Sequence, residues 1–515
     1  MTLTLTQSSS ETPTSATMAQ PMVPHFIGGK PLQQESGRTI AVENPALGLP
    51  VRRVGLADTV LTNSAIEAAR TALPVWRDTP PAKRAQILFR FKTLLEQNSD
   101  TICQLISEEH GKTIEDAHGE LKRGIENVDY ACGVPELLKG EFSHNAGPGI
   151  DTWSNHQPMG VVAGITPFNF PAMVPLWMFP MALACGNTFI LKPSEQVPST
   201  SLKMAELLQQ AGLPDGVFNV LHGDREAVEA LIAAPEVKAL SFVGSTPVAR
   251  AIYEGGALQG KRVQALGGAK NHAVVLPDAD LDNTVETLLG AAYGSAGERC
   301  MAISVVVCVG DEVADQLVKR LAVRARQLHI GPGTESGRDM GALINGPHRD
   351  KVAAYLSSGA EEGASLVVDG RGHPLVHSSD GYFLGASLFD HVTTDMQLWR
   401  DEIFGPVLCV MRAPSLDAAM EMVNRHEYGN GTCVFTRDGA AARRFADGIE
   451  VGMVGINVPL PVPVAFHSFG GWKSSLFGDL HAYGPDSVRF YTRRKTISQR
   501  WPDSEVVSAQ FAFPS

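Results

Sequence analysis

A cysteine that follows a loop of small residues and stands beside a cation has the makings of covalent chemistry. In the run Gly294-Ser-Ala-Gly-Glu-Arg-Cys-Met-Ala302, Cys300 comes directly after Arg299. The thiolate is the nucleophilic form of cysteine, and a neighbouring guanidinium favours it. Such a sulfur attacks a carbonyl carbon. A buried core cysteine is the competing reading of this one residue. Four other runs bear on the choice.

Thr166-Pro-Phe-Asn-Phe-Pro171 sets Asn169 between aromatic residues ahead of a proline-started helix. Its amide can donate to an oxyanion, or simply cap the helix. Lys192-Pro-Ser-Glu195 follows a predicted strand. A carboxylate at a sheet end accepts from ribose hydroxyls and repels a 2′-phosphate, which favours NAD over NADP. The plainer reading is a solvated turn. Phe242-Val-Gly-Ser-Thr246 puts Gly244 and Ser245 where a helix opens, and a helix N-terminus suits a pyrophosphate. The G-x-G-x-x-G fingerprint is absent there, so a tight β-α turn is the alternative. In Asp401-Glu-Ile-Phe-Gly-Pro406, Glu402 can hold a nicotinamide ribose and Phe404 can pack on its ring, or the run is a structural turn.

These residues need a scaffold. Strands are predicted at 161–165, 188–192, 217–221, 239–243 and 261–266, with helices between them at 172–185, 199–211, 224–233 and 246–255. A second series has strands at 274–276, 304–309 and 407–411 and helices at 282–296, 311–328 and 347–363. Repeated β-α units of this length predict parallel sheets with helices on both faces, and ligands beyond the strands' C-terminal ends. Covering helices fit at 59–75, with Asp58 as N-cap, from Pro81 past Leu95, and at 113–135. Residues 487–497 alternate and are basic, which reads as an edge strand to be covered by another subunit.

The chain has 515 residues, enough for about two or three domains. A net charge of −12 argues against a general nucleic-acid binder. The seven cysteines (103, 132, 185, 300, 308, 409 and 433) include no C-x-x-C pair. That favours reduced thiols in a cytosol-like compartment, with no disulfide framework and no metal site. Residues 152–191 contain no Asp, Glu, Lys or Arg, but five prolines, Asn169 and Asn187 interrupt them, which argues against a membrane span. Residues 1–22 lack Lys and Arg and an apolar segment, and read as a disordered leader.

Pro-Phe-Asn-Phe-Pro, Lys-Pro-Ser-Glu, Phe-Val-Gly-Ser-Thr, Leu-Gly-Gly (266–268), Gly-Glu-Arg-Cys (297–300) and Glu-Ile-Phe-Gly-Pro occur in that order. The set resembles the aldehyde dehydrogenase superfamily, from about residue 25 to 497. The resemblance implies Cys300 as nucleophile and Asn169 as oxyanion donor. It implies Lys192 and Glu195 at an adenosine ribose of NAD, Gly244 and Ser245 at the pyrophosphate, and Glu402 with Phe404 at the nicotinamide. Thr166, Phe168 and Leu266 are expected as further cofactor contacts. The implied fold is α/β: two Rossmann-like parallel-sheet domains plus a small β oligomerisation element. The expected parts are a cofactor-binding domain (23–140 and 160–264), a catalytic domain (265–465) and the oligomerisation element (141–159 and 484–500) of a homotetramer or homodimer.

Two residues depart from the family pattern. Ala249 replaces a common glycine, and alanine is small enough for close helix packing. Most hydrolytic members carry a glutamate before Leu-Gly-Gly as base for the deacylating water; here the residue is Ala265. A positioned base contributes roughly 10²–10⁴-fold, so without it a thiol competes with water for the thioester. This resembles the CoA-acylating methylmalonate-semialdehyde dehydrogenases, as do Phe168 beside the asparagine, Arg-Cys-Met-Ala at the nucleophile and Arg123-Gly-Ile-Glu-Asn127. In that branch two arginines bind the substrate carboxylate, which maps onto Arg123 and Arg299; planar guanidinium forks suit such a group. Each is otherwise a helix-surface ion pair, and Arg299 otherwise acts only on the thiol. The implied reaction is NAD-dependent oxidation of malonate or methylmalonate semialdehyde, with decarboxylation, to acetyl-CoA or propionyl-CoA, as in valine catabolism, with coenzyme A as co-substrate. The alternatives are a hydrolytic enzyme giving a free carboxylic acid, with Glu298 as substitute base, and a catalytically silent protein on the same fold.

Overall fold

The computed structural model describes residues 20–33 and 37–501. Most of the expected leader, residues 1–19, lies outside the described residues. Met22–Val23 is already a strand, paired in parallel with Leu49–Gly55, so the leader reading is too long at its end.

Two sheets dominate. The first runs, in spatial order, Leu476–Phe477, Arg262–Leu266, Val237–Val243, Val161–Ile165, Thr188–Lys192, Phe218–Val220, His25–Ile27 and Lys30–Leu32. Its five middle strands are parallel and its outer pairings are antiparallel. The second runs Ser365–Val368, Ser387–Asp390, Val407–Ala413, Ile303–Val309, Asn271–Val275, Gly431–Phe435 and Met453–Ile456, with an antiparallel first strand. The strands Val161–Ile165 and Thr188–Lys192 are buried along their whole length, as expected for apolar strands covered on both faces. Alternate residues serve opposite layers. Val161, Ala163 and Ile165 pack with Ile66 and Ala69 of the helix Thr59–Asp78. Val162, Phe189 and Leu191 pack with Leu176 and Phe179 of the helix Met173–Ala184.

That second helix is apolar on every side and every residue of it is buried, which accounts for the charge-free stretch around it. Among the described residues no helix is long and apolar enough to cross a membrane.

Three features depart from the sequence expectation. The helix Ser99–His110 was not anticipated, and it stops at Gly111 with φ 96°. The short strands Ser387–Asp390, Gly431–Phe435 and Met453–Ile456 carry no pattern that separates them from loop. Residues 487–491 belong to the helix Gly484–Tyr491, and the strand begins at Thr492. The alternation of Val488 and Phe490 imitates a strand. Both side chains instead join the core around Trp177. Thr492–Gln499 then pairs with Ile150–Pro158, which pairs with Phe142–Gly147.

One buried side chain ties these parts together. Asn187 accepts from the Gly160 N–H at 3.0 Å and donates to the carbonyls of Ala182 and Tyr491, each at 2.9 Å. Both carbonyls keep a backbone donor without it, but the Gly160 N–H does not. Asn187→Ala is therefore expected to destabilise the protein by about 1–3 kcal/mol, seen as a lower urea midpoint; an unchanged midpoint would contradict this role.

Candidate active site

The strands Val161–Ile165, Thr188–Lys192 and Val237–Val243 end side by side, and the chain leaves each into one cleft of about 890 Å³. Thr166, Phe168, Lys192, Glu195, Gly244 and Ser245 all line it. Lys192 Nζ donates to Glu195 Oε2 at 3.2 Å, so the pair is held at the mouth. A side chain on residue 244 would bring a Cβ 2.5 Å from the Phe242 ring, so glycine lets the turn lie close under the cleft. Leu266 does not line the cleft. It is buried, and its carbonyl accepts the Gly244 N–H at 3.1 Å, which braces the turn from behind.

The loop ahead of Cys300 is conformationally forced. After the helix Leu281–Tyr293, Ser295, Ala296 and Gly297 have φ of 54°, 52° and 74°. Left-handed backbone at two non-glycine residues in a row is costly and needs support. Support comes from the loop holding Glu402: a Cβ on Gly297 would fall 2.1 Å from the Gly405 carbonyl oxygen. The Cys300 carbonyl accepts from Asn271 Nδ2 at 2.9 Å and Asn430 Nδ2 at 3.1 Å. Asn169 Nδ2 donates to the Glu298 carbonyl at 3.0 Å. Asn169 does not cap the helix behind it. The Glu120 carboxylate does, accepting from the N–H groups of Ala172 and Met173.

Half-buried Cys300 lies where two spaces meet. A narrow one is shared with Glu402 and Phe404. The other, about 250 Å³, is shared with Arg123, Arg299 and the aromatic side chains of Phe170, Trp177 and Phe469. Phe168 meets Phe404 edge to face at 6.0 Å, at the cofactor-cleft side. Sequence reasoning thus found residues that do come together.

The expectation of a guanidinium-favoured thiolate is not met in the resting protein. Burial, then the Glu402 carboxylate, push the Cys300 thiol up to about 12, against the N–H groups of Cys300 and Met301 and the Lys112 ammonium. Arg299 is committed elsewhere: it pairs with Asp116 and donates to the Gly290 carbonyl at 3.2 Å. Arg123 donates to Glu126 at 2.7 Å and to the carbonyls of Val462 and Pro463. Burial lifts Glu402 to about 7, with the Ala269 N–H and Lys270 opposing. Of the acids lining these spaces, Asp116 pairs with Arg299 and Glu120 with Lys112. Among the described residues Glu402 has no ion-pair partner.

Glu298 is fully buried and lines neither space. Its Oε1 accepts from the Ile344 N–H at 3.1 Å, His110 Nε2 lies 3.8 Å from Oε2, and burial raises its carboxyl well above the usual range. Ala265 is buried in its strand, in register with Phe242 and Phe477. Asp116, Lys112, Glu120, Asn271 and Asn430 were missed from the sequence. Each takes its meaning from a partner distant in the chain, so no spacing marks it.

Phe168 of the sheet-end cleft meets Phe404, which lines the narrow space with Cys300. The aldehyde dehydrogenase family model matches residues 32–497. The chain is 66% identical over 492 residues to the malonate-semialdehyde dehydrogenase of Pseudomonas aeruginosa, covering 95% of this chain and 99% of that protein. It is 49% identical over 477 residues to malonate-semialdehyde dehydrogenase 2 of Geobacillus kaustophilus, covering 93% and 98%. Among solved structures, the methylmalonate-semialdehyde dehydrogenase of Oceanimonas doudoroffii superimposes with a TM-score of 0.93 at 60% identity, covering 94% and 99%. A candidate methylmalonate-semialdehyde dehydrogenase of Sinorhizobium meliloti 1021, complexed with NAD, gives 0.93 at 50% identity, covering 95% and 99%. The chain belongs to the aldehyde dehydrogenase family.

The raised Glu402 carboxyl has a thermodynamic consequence. An unfolded glutamate titrates near about 4.3, and folded Glu402 near about 7. Between those values the folded protein holds the extra proton, so this group's contribution to stability falls as pH rises. Glu402→Gln should stabilise the protein more at pH 8 than at pH 5. Equal urea midpoint shifts at the two pH values would rule out a raised carboxyl.

Proposed function

We propose that this chain oxidises malonate or methylmalonate semialdehyde with NAD and passes the acyl group, after decarboxylation, to coenzyme A. The observation that carries the reading is the space Cys300 shares with Arg123 and Arg299: a nucleophile facing two guanidinium groups fits a small aldehyde that carries a carboxylate. The sheet-end cleft fits NAD. Glu195 and Lys192 are disposed for the adenosine ribose, the Gly244–Ser245 turn opens a helix toward the pyrophosphate, and Val248 and Leu258 offer apolar walls to a base. NAD bound there supplies the acceptor for the aldehyde hydride.

The chain's own residues account for the rest. Glu402 and Phe404, which share the narrow space with Cys300, are disposed for the nicotinamide side, and the Cys300 thiol gives its proton to solvent as the sulfur adds to the aldehyde carbon. The Asn169 amide and the Cys300 N–H receive the oxyanion. Loss of hydride leaves a thioester on Cys300 with a carboxylate β to its carbonyl. The carbon–carbon bond electrons flow into that carbonyl as CO₂ leaves, the same donors hold the enolate, and a proton completes the acyl group. The coenzyme A thiol then takes it from the sulfur, giving acetyl-CoA from malonate semialdehyde and propionyl-CoA from the methyl compound. Ala265 offers no base to a water, and Glu298 is sealed away from the sulfur's surroundings, so thiolysis is favoured over release of a free acid.

The same reading assigns residues 23–140 with 160–264 to cofactor binding, 265–465 to catalysis, and 141–159 with 484–500 to assembly of two or four copies, in the cytoplasm.

NADH release from malonate semialdehyde should depend on coenzyme A, with acetyl-CoA as product, and should vanish in Cys300→Ala. Turnover to free acid without coenzyme A would overturn the acyl-transfer reading. Arg123→Leu and Arg299→Leu should lower kcat/KM for the semialdehyde acid roughly ten- to hundredfold, as for a lost charge-assisted hydrogen bond. The loss for propanal should be small, and an equal loss for both would argue against carboxylate recognition.

A further inference from the structure

Lys112 is one of the most deeply buried cations of the chain, at 1% exposure, and no role above uses it. It follows Gly111, where the preceding helix stops, and its backbone is fastened in place. Its N–H donates to His110 Nδ1 at 3.2 Å, and its carbonyl accepts from Ser107 Oγ at 2.7 Å. From there the side chain reaches the loop that carries Asn169. Nζ donates to the Asn169 carbonyl at 2.6 Å and to Glu120 Oε2 at 2.8 Å, and it stands 4.3 Å from the centre of the Phe170 ring. The other oxygen of Glu120 accepts from Ala172 and Met173, at 2.7 and 3.1 Å. One buried ion pair therefore grips the segment from Asn169 to Met173 at both ends.

A buried ion pair is a poor source of stability, because desolvating both charges offsets most of their attraction. Its geometry offers something else. The carbonyl and the side chain of Asn169 leave the same residue. Holding the carbonyl fixes the backbone from which the amide reaches the Glu298 carbonyl, two residues before the sulfur.

We infer that Lys112, paired with Glu120, is a positioning residue for acyl-enzyme formation, acting through Asn169 by clamping its peptide against the nucleophile segment. The inference rests on the assignment of Asn169 as oxyanion donor. The Lys112 ammonium also offsets burial at the Cys300 thiol, after the N–H groups of Cys300 and Met301.

The test is a mutant cycle on first-turnover NADH formation from malonate semialdehyde. Asn169→Ala should lose about 10²–10³-fold, as for a single oxyanion donor. Lys112→Met should lose tenfold or more, with the NAD dissociation constant unchanged. Because Lys112 acts through Asn169, the double variant should be no slower than Asn169→Ala alone. Lys112→Met/Glu120→Gln removes both charges yet keeps an oxygen for the helix N–H groups. It is the variant to use if the single change does not fold, and it should show the same loss. A wild-type first-turnover rate in a folded Lys112 variant, multiplicative losses in the double variant, or a parallel loss of NAD affinity would overturn the inference. A wild-type rate in Asn169→Ala would instead bring down the oxyanion assignment itself.

Discussion

A single hydrogen bond, from Asn169 Nδ2 to the Glu298 carbonyl, joins the loop after a strand of the first sheet to the segment that carries the nucleophile of the second. Neither sheet contains a complete site. The first provides a cleft bounded by three strand ends, and the second provides a cysteine on a forced turn. The chemistry exists only where the two are registered against each other. The close approach of Gly297 to the Gly405 carbonyl serves the same end within the second sheet, locking the nucleophile loop to the loop of Glu402 and Phe404.

This dependence explains where the buried charge lies. Strands covered on both faces leave their polar ends crowded into a small volume, and the groups there lose water. The result is a thiol pushed up to about 12 beside a carboxyl pushed up to about 7. Arg299 looked from its neighbouring position like the activator of the sulfur. It pairs instead with Asp116, on the wall of the space it shares with Cys300 and Arg123.

The proposed transfer of the acyl group to a thiol rather than to water turns on two residues. Most hydrolytic members carry a glutamate ahead of Leu-Gly-Gly, and this chain has the methyl group of Ala265 there, buried in a strand in register with Phe242 and Phe477. Glu298 is adjacent to the Arg299–Cys300 pair in sequence, but its carboxyl is buried and faces His110 and His348. Proximity along the chain and proximity to the sulfur are different things here.

The sequence by itself determined the alternating architecture, the central strands 161–165 and 188–192 to the residue, and the motif residues that line the cleft, because local periodicity and short turn signatures encode them. The helix Gly484–Tyr491 read as a strand because two apolar residues alternate in it, and packing around Trp177 overrode that pattern. Only the tertiary structure decided which partner each charged group takes. Lys112 with Glu120, Arg299 with Asp116, and Glu402 without an ion-pair partner among the described residues are contacts between separate elements. The energy of a buried charge depends on neighbours that no spacing within one element records.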